Sequence, residues 1–369
     1  MTSNALLGVA LVGTGFGQKV HIPAFQNTPA TQLVSVYNRD LTKAQHIASA
    51  HAIPHAADSL AEIVARPDVQ AVSLSTPPFL HYQMAQTILN AGKHLFLEKP
   101  TTLTASEAKA LHLLAQQQQV QATLNFEFRF VPAWMHLKHL LEQNYVGNAR
   151  LIKIDWLVGG RADPTRPWSW HASKELGGGS LGALGSHVFD YIAWLFGPVR
   201  RLSAQLITTI AQRPDPQTGQ AKPVDADDTC LLTLELVSGT LCQVNISATT
   251  YAGRGHWLEV YGDRGTLVLG MNTPNDYIHG FELQGSQSGA PLEAIKIPDF
   301  LAFQTTYEDG RIAPTQRVIE HWAKRIQSGQ STAPSLREGV YSQLLMDLAH
   351  QSHQHCCWVE VPELNMFLA

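Results

Sequence analysis

Charged side chains are few in this chain. Only 15% of its residues are Asp, Glu, Lys or Arg, and the 26 basic side chains are outnumbered by 30 acidic ones. Lysine and arginine form no stripe, and a net charge of −4 offers a polyanion nothing to hold, which argues against nucleic-acid binding. Cysteine is scarcer still. Four thiols in 369 residues make no disulfide framework, so a reducing cytoplasm is the expected location. Cys356 and Cys357 follow His353 and His355, yet no second ligand pair stands at zinc spacing, and no metal is expected. That segment reads instead as a helix end running into a last strand, Cys357–Val361. No apolar run reaches the roughly 18 residues of a membrane span, so no membrane partner is expected. The opening MTSNALLGVALVGTG lacks a basic n-region and reads as a first strand, not a signal peptide. Internal repeats and low-complexity tracts are missing as well.

What is present is patterned hydrophobicity, 44% of a chain long enough for two cores. From Leu6 to about Asn125, strand-like runs (Leu6–Val12, Gln32–Tyr37, Ala71–Ser75, His94–Leu97, Gln121–Asn125) alternate with helix-like ones (Leu41–His51, Leu80–Ala91, Ser106–Gln118). Thr104-x-x-Glu107 opens the last helix as a capping box, and Gly92 closes the one before. Such alternation predicts an α/β fold with a doubly wound parallel sheet. After about Phe130 the runs lengthen: a helix over Ala133–Gln143, then strands at Leu151–Val158, Arg200–Thr209, Thr229–Val237, Thr240–Ala248, His256–Tyr261 and Gly265–Leu269. Ser238-Gly239 and Gly262–Gly265 read as hairpin turns. This half is predicted to be α+β with a large, mostly antiparallel open sheet. Two domains are expected, 1–125 for a dinucleotide and 126–369 for substrate and oligomerisation. Arg213–Val224, rich in Pro, Gln and Gly, is expected to be a mobile polar loop.

The first run ends in Gly13-Thr14-Gly15-Phe16-Gly17. Gly13 permits a tight turn and Gly15 lets backbone approach a pyrophosphate at a helix N-terminus. A third small residue is expected at position 18, where Gln18 stands, so Gly17 falls one place early. The end of strand two selects the cofactor. An acid there binds the ribose of NAD, and an arginine accommodates the 2′-phosphate of NADP. The chain has Asn38 at that position with Arg39 beside it, while Asp40 suits the N-cap of the next helix. NADP is therefore expected in preference to NAD, although Arg39 also reads as a solvated surface arginine. Another strand end carries Glu98-Lys99-Pro100. In a parallel sheet it emerges on the same edge as the glycine loop, which places Lys99 near the reactive end of a bound dinucleotide.

Four segments together, LVGTGFGQKVHIPAF, STPPFLHYQMAQTILNAGKHLFLEKP, FEFRFVPAW and GGGSLGALGSHVFDYIAWLFG, resemble the glucose–fructose oxidoreductase / inositol dehydrogenase / rhizopine-catabolism (GFO/IDH/MocA) family. The resemblance covers nearly the whole chain. It implies a Rossmann domain followed by an α/β domain whose open sheet joins subunits, as a homodimer or homotetramer. It implies oxidation or reduction of sugars and polyols with NAD or NADP. The candidate cofactor-binding set is Gly13, Thr14, Gly15, Phe16, Gly17, Asn38, Arg39, Ser75, Thr76, Pro77, His81, Glu98 and Lys99. The resemblance also places Lys99 near the reacting oxygen and puts a cis peptide bond before Pro100. Many members carry an aspartate four positions before the histidine of the GSH segment. Here the histidine is His187 and the aspartate position is Ala183, so a three-residue relay is incomplete.

Hydride transfer at a carbinol carbon requires a proton to leave or arrive at the oxygen. Imidazole suits this near neutrality, and a nearby ammonium stabilises the alkoxide. His187 is the expected acid/base and Lys99 the alkoxide stabiliser or relay. The plainer reading of His187 is a helix-start residue bonded to backbone or to Asp190. Glu98 is expected to hold Lys99 or a backbone amide. Arg161, Arg166, Trp168, Trp170 and His171 are either a sugar-binding cluster or a packed loop with aromatic anchors. Arg129 and Asn125 are further substrate candidates, and His21 either faces the cofactor or packs beneath it. The rival to an enzyme is a non-catalytic dinucleotide-binding sensor or regulator.

Overall fold

The computed structural model describes residues 6–271, 278–330 and 332–369. They divide into two compact units: residues 1–130 with 305–343, and residues 131–304 with 344–369.

In the first unit, β1 (Leu7–Val12), β2 (Thr31–Tyr37), β3 (His55–Ala57), β4 (Ala71–Leu74), β5 (His94–Leu97) and β6 (Ala122–Leu124) form a parallel sheet in the order 3-2-1-4-5-6. Side chains alternate across a strand. Val9 and Leu11 accordingly join Phe25, Phe96 and Trp322 on one face, while Ala10 and Val12 join Ile88, Leu95 and Leu111 on the other. Both faces are covered, which is why these strands are largely apolar. The strand order reverses between β1 and β4, where ligands bind in such sheets. Asp40 caps the helix Leu41–Ala50, accepting from Lys43 N at 3.1 Å. Thr104 accepts from Glu107 N at 3.2 Å, while Glu107 reaches back to Leu103 N at 3.1 Å, one residue before the cap.

A cut at residue 125 does not allow for a late return of the chain to this unit. The helix Ile312–Ser328 buries Val318, Ile319 and Trp322 against Phe25 and Phe96. Removing a buried tryptophan of this kind typically costs about 3–5 kcal/mol. The following helix, Leu336–His355, begins in the first unit and ends in the second.

The second unit is built on a sheet of β7 (Ala149–Leu157), β8 (Val199–Ile207), β11 (Thr229–Leu236), β12 (Leu241–Ser247), β13 (Gly255–Gly262), β14 (Gly265–Met271), β15 (Phe281–Gln287), β16 (Glu293–Ala294) and β17 (Val359–Glu360). Their order is 16-15-14-13-7-12-11-8-17, antiparallel throughout except between β7 and β12. Both expected hairpins form, with Gly239 at φ 86° in the first turn. Cys242, Val244 and Ile246 of β12 are buried. The remaining two strands correct the expectation for Arg213–Val224. β9 (Gln212–Pro214) and β10 (Ala221–Pro223) pair as an antiparallel ribbon. Arg213 anchors the ribbon by donating to the carbonyls of Arg161 and Asp163 at 2.6 and 2.7 Å. Polar composition hid it, because its partners are backbone oxygens that no sequence pattern marks.

Candidate active site

The carboxyl ends of β1 and β4 meet through glycine. Gly13 has φ +102°, and a Cβ there would lie 2.6 Å from the Ser75 carbonyl. A Cβ on Gly17 would strike Ser75 Oγ at 2.4 Å and sit 3.3 Å from Leu11. Gly17 thus permits the close helix–strand packing for which a third glycine is needed, even though it falls early. The segment Gly17–His21 that follows is π-helical, with Ile22 N bonded to Gly17 O. Around Gly15 nothing lies within 4 Å of a Cβ position. Ser75 Oγ donates to Gly13 O at 3.0 Å, and Thr76 Oγ1 is buried without a hydrogen-bond partner among the described residues. Thr14 Oγ1 accepts from Asn38 at 2.6 Å, and Asn38 Oδ1 accepts from Asp40 N at 3.0 Å. Arg39 is exposed beside them. His81 is buried, with Nε2 2.7 Å from Thr76 O and Nδ1 2.9 Å from Pro100 O. Burial pushes its pKa down despite those carbonyls. His81 thereby ties the loop Ser75-Thr76-Pro77 to the segment after Lys99.

Beneath Lys99 lies a buried polar chain. His21, fully buried, contacts Ser73 Oγ through Nδ1 and Glu98 Oε1 through Nε2, both at 2.8 Å. Asn125 Nδ2 donates to the same Glu98 oxygen at 2.6 Å and to Thr315 at 3.2 Å. Glu98 Oε2 accepts from Lys99 N at 3.3 Å. Burial works to raise the Glu98 pKa, but hydrogen bonding and charge from His21, with the charge of Lys99, outweigh it and hold the carboxyl below its ordinary value. Glu127, also buried, goes the other way. Desolvation, then the Glu98 charge, push it up to about 7, with Lys99 and Arg311 opposing. Two carboxyls near one ammonium are thus driven apart in acidity. The peptide bond Lys99–Pro100 is cis.

His187 belongs to the second unit, near the start of the helix Ser186–Phe196. It is buried, with its ring centroid 6.2 Å from that of Trp156. A π-helical turn, Leu181–Gly185, precedes it and carries Ala183. Trp156 stacks on His256 at 4.0 Å, and burial pushes that imidazole down to about 3. Of the aromatic loop, Trp168 is an anchor: its Nε1 donates to Pro223 O at 2.9 Å, and Lys222 sits 3.4 Å over its ring. Trp170 packs on His171 at 3.6 Å between centroids. Arg161, Arg166 and His171 line one cavity of this unit. Arg129, in the turn Glu127–Phe130, belongs to the first unit.

Residues 7–126 match the model of an oxidoreductase family NAD-binding Rossmann fold, and residues 138–361 match that family's C-terminal alpha/beta domain. The chain belongs to the GFO/IDH/MocA oxidoreductase family. A Synechocystis sp. protein described as an uncharacterized oxidoreductase is 50% identical, over all of both chains. Levoglucosan dehydrogenase of Pseudarthrobacter phenanthrenivorans is 26% identical, covering 97% of this chain and 99% of its own. A solved structure of levoglucosan dehydrogenase with NADH and L-sorbose superposes with a TM-score of 0.87 at 25% identity, covering 97% of this chain and all of the other.

The Rossmann edge of this family member fits a nicotinamide dinucleotide. Gly15 leaves room where backbone must approach a phosphate, and the Thr76 hydroxyl lacks a partner among the described residues. Ser73, Glu127 and Thr315 escaped the sequence reading. Ser73 left a signal, a hydroxyl inside the apolar strand β4 that requires a buried partner. Glu127 and Thr315 left none, since their neighbours come from elsewhere in the chain. Among the described residues no group of three or more His, Cys, Asp or Glu side chains could hold a metal.

Proposed function

We propose that this family member is an NADP-preferring dehydrogenase or reductase acting on a hydroxyl or carbonyl of a sugar, polyol or related small molecule. The supporting observation is the buried Ser73–His21–Glu98–Asn125 chain, which holds the Lys99 backbone at the carboxyl edge of β5. Levoglucosan dehydrogenase, whose solved structure holds NADH and L-sorbose, supports the sugar-like substrate class. The glycine loop, Thr14 and Ser75-Thr76-Pro77 would hold the dinucleotide, with His81 and Glu98 keeping that edge in shape. Asn38 in place of an acid, with Arg39 exposed beside it, favours the 2′-phosphate.

When bound, the dinucleotide supplies the ring that takes or returns the hydride. His187 removes the hydroxyl proton during oxidation and returns it during reduction. The Lys99 ammonium stabilises the alkoxide. Arg129, Arg161 and Trp170 contribute to substrate binding. Assembly as a homodimer or homotetramer is supported by an apolar row on the second sheet. Exposed Tyr261 and Leu241 flank exposed Leu151 in register; a monomer by light scattering removes this part. Four free cysteines accord with a cytoplasmic location.

The decisive experiment titrates the purified protein with NADPH and NADH, then measures turnover across sugars and polyols. Turnover with tighter NADPH binding is the expected result. Tight cofactor binding without turnover on a broad panel would favour the second reading, a dinucleotide-binding sensor. Ala183 in place of the usual aspartate is what keeps that second reading open.

A further inference from the structure

Three arginines share one small cavity in the second unit. Arg161 and Arg166 follow β7, and Arg213 lies in β9. Together with His171, Asp227 and Asp228 they line a space of about 30 Å³. Two of the three have structural work. Arg213 holds the carbonyls of Arg161 and Asp163, and Arg166 donates to Gly160 O. Arg161 differs. Among the described residues its side chain makes one hydrogen bond, to Nδ1 of His171 at 3.2 Å, so most of its five donors remain available. None of the three guanidinium groups makes an ion pair among the described residues.

The two carboxylates do not neutralise the cluster. Asp227 Oδ2 accepts from Leu181 N at 2.8 Å and from the Cys230 thiol at 3.0 Å. Asp228 Oδ2 accepts from Thr209 N, Thr209 Oγ1 and Ile210 N at 2.8, 2.8 and 3.0 Å. Both hold backbone, and one positive charge remains in excess. Burial, then the charge of Arg166, push Arg161 down to about 10, with Asp227 pulling it back. Crowded guanidinium groups of this kind are relieved by an oxyanion, whose paired oxygens match the arginine fork. The volume decides how much of a ligand enters. A water needs at least about 10–15 Å³ on this scale, so the cavity admits an acid group and not a pyranose ring.

Resting on the oxidoreductase reading above, we propose that this cavity receives the acid group of an anionic sugar, and that the substrate is a sugar acid. The cavity wall is continuous with the segment that carries His187. Asp227 bonds Leu181 N and its carbonyl bonds Ser180 N, both just before the helix that begins at Ser186. Asp227 thereby ties the cavity wall to the turn that precedes the helix carrying His187.

The test measures binding and turnover separately on the full-length protein. D-gluconate, D-glucose 6-phosphate and neutral D-glucose are titrated into wild type, Arg161→Gln and Arg161→Lys, each checked by thermal melting. Wild type is expected to bind at least one acidic probe about tenfold or more tighter than glucose. Arg161→Gln is expected to lose that preference, and Arg161→Lys to recover part of it. Preference for gluconate assigns a carboxylate, and preference for the sugar phosphate assigns a phosphoryl group. Equal affinity for acidic and neutral probes, or an unchanged preference in a folded Arg161→Gln, overturns the proposal. Arginine-dependent binding without turnover of any probe also overturns the substrate assignment, and marks failure of the enzyme reading and not of the anion site.

Discussion

The surroundings of Lys99 and of His187 differ in kind. Lys99 stands over a carboxylate whose every oxygen is engaged, with partners drawn from β4, the segment after β1, the end of β6 and the late helix Ile312–Ser328. His187 lies near the start of the helix Ser186–Phe196, its ring 6.2 Å from that of Trp156, and the turn before it carries Ala183 where the family resemblance implies an aspartate. The first arrangement is preorganised by charge and hydrogen bonds from distant segments, while the second rests on a helix start beside an aromatic ring. Groups in a satisfied polar network resist substitution at every member.

Substitution at Lys99 should break the comparison most visibly. Lys99→Ala is expected to lower kcat by roughly 10²–10⁴-fold with cofactor affinity within a few-fold. Stopped-flow turnover beside NADPH titration checks this, and an unchanged kcat removes Lys99 from the chemistry. Next comes Glu127→Gln, which probes the charge balance in that network. Glu127 titrates from an ordinary 4.5 to about 7 in the folded chain. Below 4.5 both states hold the proton. As pH rises from there through 7, the unfolded chain has released a proton that the folded one retains, so stability falls, by up to about 3 kcal/mol. Glu98 has the opposite sign: its depressed value contributes stability above the ordinary range that is lost on acidification. Denaturant melts at pH 5 and pH 8 should show a decline in wild type that is reduced in Glu127→Gln. An identical decline in both assigns the effect elsewhere.

Arg39→Ala should weaken NADP about tenfold or more and NAD little, as expected for one charge-assisted contact; equal losses dismiss the phosphate reading. The smallest effect is expected from Ala183→Asp, one helical turn before His187. Activity should hold or rise a few-fold if the relay is merely incomplete. A collapse of kcat with unchanged melting shows that the imidazole depends on its present surroundings.

Local patterns carried much of this molecule. Strand–helix alternation, the Asp40 cap and the Ser238–Gly239 turn each depend on residues a few positions apart, and all three formed as expected. Gly17 was legible as a glycine but not as the packing glycine, because the π-helical turn after it changes the register. The β9–β10 ribbon was missed because Arg213 meets backbone oxygens from a loop about fifty residues away. Pairing at that separation leaves no periodic trace in a polar stretch.

By itself, then, the order of residues determined which groups exist and which strand ends carry them: Gly13 and Lys99 were visible from the start. Tertiary structure alone decided what each group faces. Glu98 is acidic and Glu127 holds its proton near neutrality because their neighbours differ, not because the residues do. Proton affinity depends on desolvation and charge within a few ångströms, and those neighbours are assembled only when distant segments close around them.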